Sequence, residues 1–239
     1  MSTADGIRAR NRAAIETEIL QVARAHLAAH GAAALSLRAI ARDVGMVSSA
    51  LYRYVASRDE LLTLLIIGAY TELADAVEEA HDAVPPTEHR ARFGAVAYAL
   101  RDWARAHPHD WALLYGSPVP DYDAPGERTT EPGTRVTMVL TTLLHDAAGA
   151  DALSPRARAT DATAMARAQA GIGAMLADPR LAVLPLDPVA VLAGVQSWTV
   201  LIGAVSREVF QMLGPDFATP DLFDDAVSIA CDLVLRAEP

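Results

Sequence analysis

The residues of this chain best suited to chemistry with a ligand are polar side chains at close spacing: Ser48, Ser49, Tyr52 and Arg53. They fall in a segment too short to bury much apolar surface, so the segment can offer them outward. Hydroxyl and guanidinium groups hydrogen-bond both the edges of DNA bases and phosphate oxygens. Arg58 follows at the start of a longer helical segment, where backbone N–H groups and a cation suit a phosphate. The pattern indicates contact with a nucleic acid.

A helix-turn-helix would position these side chains. Apolar residues repeat at helical spacing from Leu37 to Val44, with Ser36 placed to cap the helix and Gly45 to end it. In such a motif the second helix enters the major groove of DNA. The spacing alone also suits a solvent-exposed helical hairpin. In the short second segment, three side chains are expected to face inward: Leu51, Tyr54 and Val55.

Helical periodicity continues along the chain and predicts an all-α fold. An apolar stripe runs from Ile15 to Leu27 and ends near Gly31. The sequence Ser57-Arg58-Asp59-Glu60 is typical of a capping box and opens a helix to about Asp82. Further helices are predicted near 88–107, 109–115, 133–149, 155–177, 188–213 and 220–236.

Three of these later helices have a capping residue followed by Pro at the first helical position: Ser154-Pro155, Asp187-Pro188 and Thr219-Pro220. The β-branched residues between Val136 and Leu144 would also suit a strand. We find no convincing sheet and no internal repeat in the sequence.

Composition excludes several classes of protein. Of the 239 residues, 52% are hydrophobic and 21% charged, which argues against wholesale disorder. The one cysteine, Cys231, excludes an internal disulfide framework and a multi-cysteine zinc site, and its apolar surroundings predict a core position. All twenty basic residues are arginine.

Charge is unevenly distributed along the chain. The net charge of −10 argues against a nonspecific nucleic-acid binder. Residues 1–60 hold eight Arg against six acidic residues, whereas residues 61–239 hold twelve Arg against twenty-four. Such asymmetry indicates two functions in one chain.

The sequence predicts a cytoplasmic protein with no membrane partner. Its N-terminus lacks the apolar region of a secretory signal. Residues 188–206 carry no charge, which reaches the length of a membrane span. However, Gln196, Ser197 and Thr199 lie at the centre of this run, and a helix buried between subunits gives the same pattern.

From about Asn11 to Thr71 the chain resembles the TetR (tetracycline-repressor) family of bacterial transcriptional regulators. The matching motifs are Ala28-Ala29-His30-Gly31, Leu37-Arg38-Ala39-Ile40-Ala41, the block from Val44 to Val55 that contains Leu51-Tyr52-Arg53-Tyr54-Val55, and Ser57-Arg58-Asp59-Glu60-Leu61-Leu62. Their combination at these spacings is far more specific than a helix-turn-helix pattern alone.

This resemblance implies three regions: a flexible arm over residues 1–10, a three-helix DNA-binding domain over 11–71, and a larger helical bundle over 72–239 for ligand binding and dimerisation. It places Arg38 against a base or phosphate, Tyr52 on a phosphate, and Arg58 where many members have Lys. The arm residues Arg8, Arg10 and Arg12 suit DNA contact and a solvated tail equally. The DNA-contacting set is Ser36, Arg38, Val47, Ser48, Ser49, Tyr52, Arg53 and Arg58.

The C-terminal region resembles the family less closely. Trp198 to Gly203 is similar to a Trp-x-x-x-His-Gly signature of one subclass, with Ile202 in place of the His. A pocket between helices would be mostly apolar, although each candidate also suits an ordinary core. The ligand-binding candidates are Trp103, Trp111, Tyr115, Met138, Met175 and Trp198, with His145 and Met165 as further pocket residues.

No cofactor or metal is expected, because His107, His109 and Asp110 lie at a Pro-containing break that is a poor preformed metal site. The chain also lacks a phosphate-binding glycine loop, a nucleophile elbow and a credible carboxylate pair, so an enzyme is not expected.

The sequence therefore favours a homodimeric repressor, released from a palindromic double-stranded operator by a small hydrophobic inducer. The last two helices are expected to form a four-helix dimer interface with their symmetry mates. A ligand-independent DNA-binding protein, whose C-terminal domain only dimerises, is the alternative. An activator is a further alternative, because the position of the operator and not the protein sequence decides between repression and activation.

Overall fold

The computed structural model describes residues 3–158, 161–176, 186–214 and 220–237, and within these ranges the protein is helical, as the sequence predicts. Extended pairing there is limited to an isolated antiparallel bridge between Leu153 and Leu235. The α-helices are α1 (Thr3–His30), α2 (Leu37–Asp43), α3 (Ser48–Leu51), α4 (Arg58–Asp82), α5 (His89–Ala106), α6 (Pro108–Tyr115), α7 (Gly126–Gly149), α8 (Ala162–Leu176), α9 (Pro188–Val209) and α10 (Pro220–Val234). Short 3-10 turns cover Ala32–Ala34 and Pro155–Ala157.

The chain divides into two compact units. The N-terminal unit comprises Met1–Glu72 together with His107–Gly133, and the C-terminal unit comprises Leu73–Ala106 together with Thr134–Pro239. The sequence did not predict that residues 107–133 pack with the N-terminal region. The family resemblance placed them in the C-terminal domain, over residues 72–239.

Helix α1 begins at Thr3, so residues 3–10 are helical, which differs from the expected flexible arm. Alanine and arginine, which are strong helix formers, make up four of these eight residues and favour extension of the helix beyond its buried stripe. The helix ends at His30, and Gly31 follows at a φ of 76°, a left-handed conformation that favours glycine.

The core of the N-terminal unit joins α1, α2 and α3 to the first turns of α4. Its fully buried members include Ile19, Ile40, Leu51, Leu61 and Leu62. Leu51 is the one buried residue of α3, so this single leucine anchors α3 to the rest of the unit.

In the C-terminal unit, α5, α9 and α10 pack around Phe93, Trp103 and Phe223. The Ser197 hydroxyl donates to the Ala230 carbonyl over 2.8 Å and ties α9 to α10. Cys231 is buried in α10, which confirms its predicted core position. Helix α9 is the one helix of the described ranges long and apolar enough to cross a bilayer, a property that a core helix shares.

Three of the helices predicted after residue 108 have a boundary that differs from the prediction by four residues or more. Helix α7 begins at Gly126, not near 133, and tolerates Pro132 inside it. It also includes residues 136–144, which are therefore helical and not a strand. Within it, the hydroxyls of Thr137 and Thr141 donate to the carbonyls of Thr134 and Thr137, so these polar β-branched residues satisfy their hydroxyls in the helix.

The predicted helix 155–177 is interrupted. Ser154 caps only the 3-10 turn, where its hydroxyl accepts from the Ala157 N–H. Arg158 is extended and donates to the Leu153 carbonyl and to Asp151, which holds the chain out of the helix before α8 begins at Ala162. Asp187 caps α9 as predicted, and Thr219 lies outside the described residues.

Helix α9 ends at Val209, four residues before the predicted end, because Gln211 adopts a left-handed φ of 50°.

Candidate nucleic-acid interface

Helices α2 and α3 and the turn between them hold the predicted DNA-contacting residues. The Ser36 hydroxyl accepts from the Ala39 N–H over 3.5 Å and caps α2. Gly45 has a φ of 77° and turns the chain between the two helices, as predicted. The Ala50 N–H donates to the Val47 carbonyl over 2.8 Å, so the residue before α3 is fixed by the helix it precedes.

The outward face of this motif exposes one apolar and one aromatic side chain. Val47 is 70% and Tyr52 50% exposed, while the intervening Leu51 is fully buried. Arg38, Ser49 and Arg53 are exposed and Ser48 is half-buried. A valine side chain can contact a thymine methyl group, and the hydroxyls and guanidinium groups can bind bases or phosphates.

Tyr54 is half-buried against the core of the N-terminal unit, and Val55 is buried, so both pack inward as predicted. The Arg12 guanidinium lies 5.4 Å from the centre of the Tyr54 ring, a cation–π distance. Arg12 also pairs with Glu16, at 2.8 Å. These contacts place Arg12 beside the residues that follow α3. The side chain of Arg8 lies outside the described residues.

Arg58 points towards the protein's own backbone. Its Nη2 donates to the Ala32 carbonyl over 3.1 Å and to the Ala33 carbonyl over 3.4 Å. Its Nη1 lies 3.8 Å from Asp59 Oδ1, and its side chain is 29% exposed. The sequence placed this guanidinium on a phosphate and gave no sign of the carbonyl contacts, which join residues 26 and 25 positions apart.

The predicted capping box at the start of α4 forms only in part. The Ser57 hydroxyl accepts from the Glu60 N–H over 3.0 Å, as predicted. The carboxylate of Glu60 instead accepts two hydrogen bonds from Arg128, at 2.6 and 3.0 Å. A charge-assisted bidentate pair is stronger than the second half of a capping box, which accounts for the difference.

A hydrogen-bonded cluster ties α1 to α2. His26 Nε2 lies 2.7 Å from Asp43 Oδ2, and the Arg42 Nε donates to Asp43 Oδ1 over 3.0 Å. The hydrogen bond with His26, followed by that with Arg42, lowers the pKa of Asp43 below its usual value. Asp43 therefore stays ionised at neutral pH and holds the C-terminal end of α2 against α1.

Residues 107–133 pack against the helix-turn-helix core through Leu113, Val119 and Tyr122. The hydroxyls of Tyr122 and Thr63 lie 2.9 Å apart, one turn along α4 from the Glu60–Arg128 pair. The available signals in the sequence were Tyr122 and Arg128 themselves, polar residues in a Gly- and Pro-rich stretch that composition alone assigns to a loop.

Two family models match the chain. The model for bacterial regulatory proteins of the tetR family matches residues 19–65, and the model for the tetracyclin repressor-like C-terminal domain matches residues 93–229. Curated relatives include the HTH-type transcriptional regulators Rv1816 of Mycobacterium tuberculosis and Mb1846 of Mycobacterium bovis. Each is 43% identical over 216 residues, which is 90% of this chain and 89% of the relative. The chain belongs to the TetR family of bacterial transcriptional regulators.

Solved structures agree with this TetR-family assignment. The regulatory protein SCO4313 superposes with a TM-score of 0.74 at 30% identity, over 92% of this chain and 97% of that chain. A Rhodococcus sp. RHA1 protein of unknown function superposes with a TM-score of 0.67 at 21% identity, over 93% and 96% of the two chains, and shows the same fold. The chain is thus a DNA-binding transcriptional regulator.

The ligand-binding candidates of this TetR-family chain fall into both units. In the N-terminal unit, the fully buried Trp111 lies 4.4 Å from the half-buried Tyr115, measured between ring centres, and Tyr70 lies 6.4 Å from Tyr115. Burial, with a smaller effect of Tyr70, raises the pKa of the Tyr115 hydroxyl, and burial also raises that of Tyr70. Both phenols are therefore neutral at physiological pH.

In the C-terminal unit, Trp103 is buried, while Met138 and Trp198 are half-buried, as are His145 and Met165. The side chain of Met175 lies outside the described residues. Among the described residues of this unit, a groove runs between α9 and α10. None of the six predicted ligand-binding residues lines this groove. In the described part of the chain, no three His, Cys, Asp or Glu side chains are grouped to hold a metal ion.

Proposed function

We propose that the protein is a homodimeric, cytoplasmic repressor that binds a palindromic operator through α2 and α3 and is released by a small hydrophobic ligand. The observation that carries the DNA-binding part is the exposed face of α3. A one-turn helix anchored by Leu51 leaves Val47 and Tyr52 in solvent, beside exposed hydroxyl and guanidinium groups. A surface that combines an apolar side chain with hydroxyl and guanidinium groups is suited to thymine methyl groups, base edges and phosphates.

The proposed operator contacts divide by chemistry. Arg38, Tyr52 and Arg53 are suited to phosphates, which fix the position of the protein on the duplex. Val47, Ser48 and Ser49 are suited to base edges in the major groove. Ser36 contributes through the cap of α2, because its hydroxyl already accepts from the Ala39 N–H.

The α9–α10 face supports the dimer. A groove of about 500 Å³ lies between the two helices, and Ile229 on its wall is half exposed. The groove is mostly apolar, with Arg207 and Asp225 also on its wall, and such a surface is suited to a two-fold interface between identical faces. A two-fold dimer would set two recognition helices about 34–36 Å apart, the spacing of successive major grooves. The apolar lining is Val200, Ala204, Leu222, Ala226 and Ile229.

The ligand part of the proposal rests on the family resemblance and on Met138 and Trp198, whose side chains are only half-buried. The buried Trp103 and Trp111 favour the alternative, in which the C-terminal domain only dimerises. Titration of the operator complex with a panel of hydrophobic small molecules separates the two. A compound that changes the tryptophan fluorescence and releases the DNA would support the ligand-responsive repressor. If no compound changes the tryptophan fluorescence, the result would favour the alternative.

Fluorescence anisotropy tests DNA binding directly. The protein is titrated against duplex DNA from beside its own gene and against a scrambled duplex, at two salt concentrations. We expect tight binding to the native sequence that weakens steeply with salt. Tyr52→Phe should weaken binding, and Tyr98→Phe, a matched change in the C-terminal unit, should leave it unchanged. Equal, weak binding to a genome-wide set of fragments would contradict the proposal.

A further inference from the structure

The guanidinium of Arg58 is committed to the connection between α1 and α2. Its Nη2 donates to two successive carbonyls, those of Ala32 and Ala33, at 3.1 and 3.4 Å. Both belong to the 3-10 turn Ala32–Ala34, the segment that links the two helices. The side chain is 29% exposed, whereas Tyr52 is half exposed and Arg38 exposed.

Arg58 adds a donor to one carbonyl that is weakly bonded within the turn and to a second one nearer its end. The last carbonyls of a helical turn have no partner within the turn, and that of Ala33 is among them. The Ala32 carbonyl accepts from the Leu35 N–H only at a long 3.4 Å. A cation is also the charge that the C-terminal end of a helical turn favours. Arg58 supplies both the donor and the charge.

The connection that Arg58 holds determines where α2 begins. Leu35 and Leu37 are both buried, and Ser36 between them caps α2. Movement of the Ala32–Ala34 turn would therefore displace the start of α2, where Arg38 lies. The positive charge of Arg58 is also partly neutralised by Asp59, whose Oδ1 lies 3.8 Å from the Arg58 Nη1. The Asp59 carboxylate would in addition repel a phosphate.

We infer that Arg58 is a positioning residue, whose guanidinium clamps the α1–α2 connection to the start of α4 and so fixes α2 for DNA binding, without itself contacting a phosphate. This inference rests on the proposed function, in which α2 and α3 bind the operator. It departs from the role that the family resemblance gave to this position.

The salt dependence of operator binding separates the two roles. The logarithm of the binding constant falls linearly with the logarithm of the salt concentration. Loss of a phosphate contact makes this slope less steep by about 0.9 per protomer. For Arg58→Met we expect affinity to fall about tenfold with an unchanged slope, as for the loss of a charge-assisted hydrogen bond. Arg38→Met, a matched change at an exposed arginine, should reduce the slope if Arg38 binds a phosphate.

Arg58→Lys adds a second test that does not depend on the Met variant folding. Lysine keeps the charge, but its Nζ lies one bond closer to the Cα than the Nη2 that contacts both carbonyls, so the clamp predicts weaker binding with an unchanged slope. A phosphate contact predicts binding close to that of the wild type. Wild-type affinity in Arg58→Lys would overturn the inference. A salt dependence that is less steep by about 0.9 per protomer in Arg58→Met would also overturn it.

Hydrogen exchange of the full-length protein tests the clamp without DNA. We expect the backbone amides of residues 35–40 to exchange faster in Arg58→Met and Arg58→Lys, while amides of α9 remain unchanged. Unchanged exchange at residues 35–40 would overturn the inference. If the wild type binds no DNA specifically, the proposed function fails, and the exchange measurement still decides whether the clamp exists.

Discussion

Arg24 Nε and Asp110 Oδ1 face each other across 3.9 Å in the N-terminal unit, and neither atom has a hydrogen-bond partner among the described residues. The Nη2 of Arg24 pairs with Glu72 at 2.7 Å. Gly68 leaves room for this arrangement, because a Cβ at that position would lie 3.1 Å from Arg24 Nη2. Burial raises the pKa of Asp110, an effect that the charge of Arg24 only partly offsets.

The raised pKa of Asp110 predicts a pH-dependent cost to stability. A carboxyl with a raised pKa holds its proton more tightly in the folded state. Its stabilising contribution is therefore complete below pH 3.8, the usual value, and is lost as the pH rises through the folded-state pKa. Asp110→Asn should become more stable relative to the wild type as the pH rises from about 4 to 7. Urea unfolding across this range measures the difference.

Asp151→Asn is the control for this experiment. A hydrogen bond from Arg158 lowers the pKa of Asp151, so its stabilising contribution is present above pH 3.8 and is lost as the pH falls through the folded-state pKa. Its charged partners are arginines, which do not lose their charge in this range. The difference between Asp151→Asn and the wild type should be nearly constant from pH 5 to 7. A constant difference for Asp110→Asn as well would show that burial does not hold the proton of Asp110.

Signals between neighbouring residues were enough to predict the recognition motif. Contacts between residues far apart in the chain could not be predicted from the sequence. Ser36 and Gly45 act on residues at most three positions away, so their cap and turn can be read from adjacent residues. The Arg128–Glu60 pair joins residues 68 positions apart, and the Arg58 contacts join residues 26 and 25 apart. Such pairings depend on how the chain folds back, and a helical period carries no information about that.

The Arg128–Glu60 pair is expected to contribute modestly to stability. The two side chains are 37% and 31% exposed, so water screens much of their attraction. A double-mutant cycle with Arg128→Gln and Glu60→Gln should give a small favourable coupling free energy that falls with added salt. The control pair, Arg12 and Glu16 on the exposed face of α1, should couple more weakly. Equal coupling at low and high salt would argue against an ion pair.

The Arg101–Glu208 pair is expected to contribute more to the free energy of unfolding than the Arg128–Glu60 pair. Arg101 is buried and donates twice to the carboxylate of Glu208, at 2.7 and 3.0 Å, while it also lies 4.6 Å from the centre of the Phe223 ring. Glu208→Gln would remove the carboxylate that this buried guanidinium hydrogen-bonds, and would leave only the charges of Asp102 and Asp224 acting on it. We expect a loss of about 1.5–3 kcal/mol in the free energy of unfolding, as for a hydrogen bond to a charged group.

Arg105 provides the matched control for this pair. It lies 3.3 Å from the same carboxylate, but its side chain is 56% exposed. Arg105→Gln should therefore change the free energy of unfolding by about 0.5 kcal/mol or less. Chemical denaturation followed by circular dichroism measures both variants. Similar losses for Glu208→Gln and Arg105→Gln would mean that burial does not distinguish the two arginines.

The proposed DNA contacts predict two different phenotypes. Tyr52→Phe removes a hydroxyl assigned to a phosphate, so it should weaken binding to all duplexes by a similar factor. Ser48→Ala removes a hydroxyl assigned to a base edge, so it should change the order of preference among operator variants. Affinities for a panel of single-base operator variants give both answers. A uniform loss in both variants would refute the assignment of Ser48 to a base.

Glycines on two faces of α9 test the proposed dimer. A Cβ at Gly203, on the α9–α10 groove, meets no atom within 4 Å of the single chain. Gly203→Ala should therefore stabilise an isolated protomer by about 0.8–1 kcal/mol, the difference in helix propensity. If α9 packs closely against its symmetry mate, the added methyl group should instead weaken the dimer.

Gly194→Ala is the contrasting variant, because its Cβ would lie 2.8 Å from Leu144 Cδ1, a buried side chain of α7. It should lower the free energy of unfolding by about 1–3 kcal/mol through overpacking within the protomer, whatever the oligomeric state. Sedimentation equilibrium and urea unfolding of both variants separate these effects. If Gly203→Ala raised stability and left the dimer dissociation constant unchanged, the α9–α10 groove could not be the closely packed dimer interface.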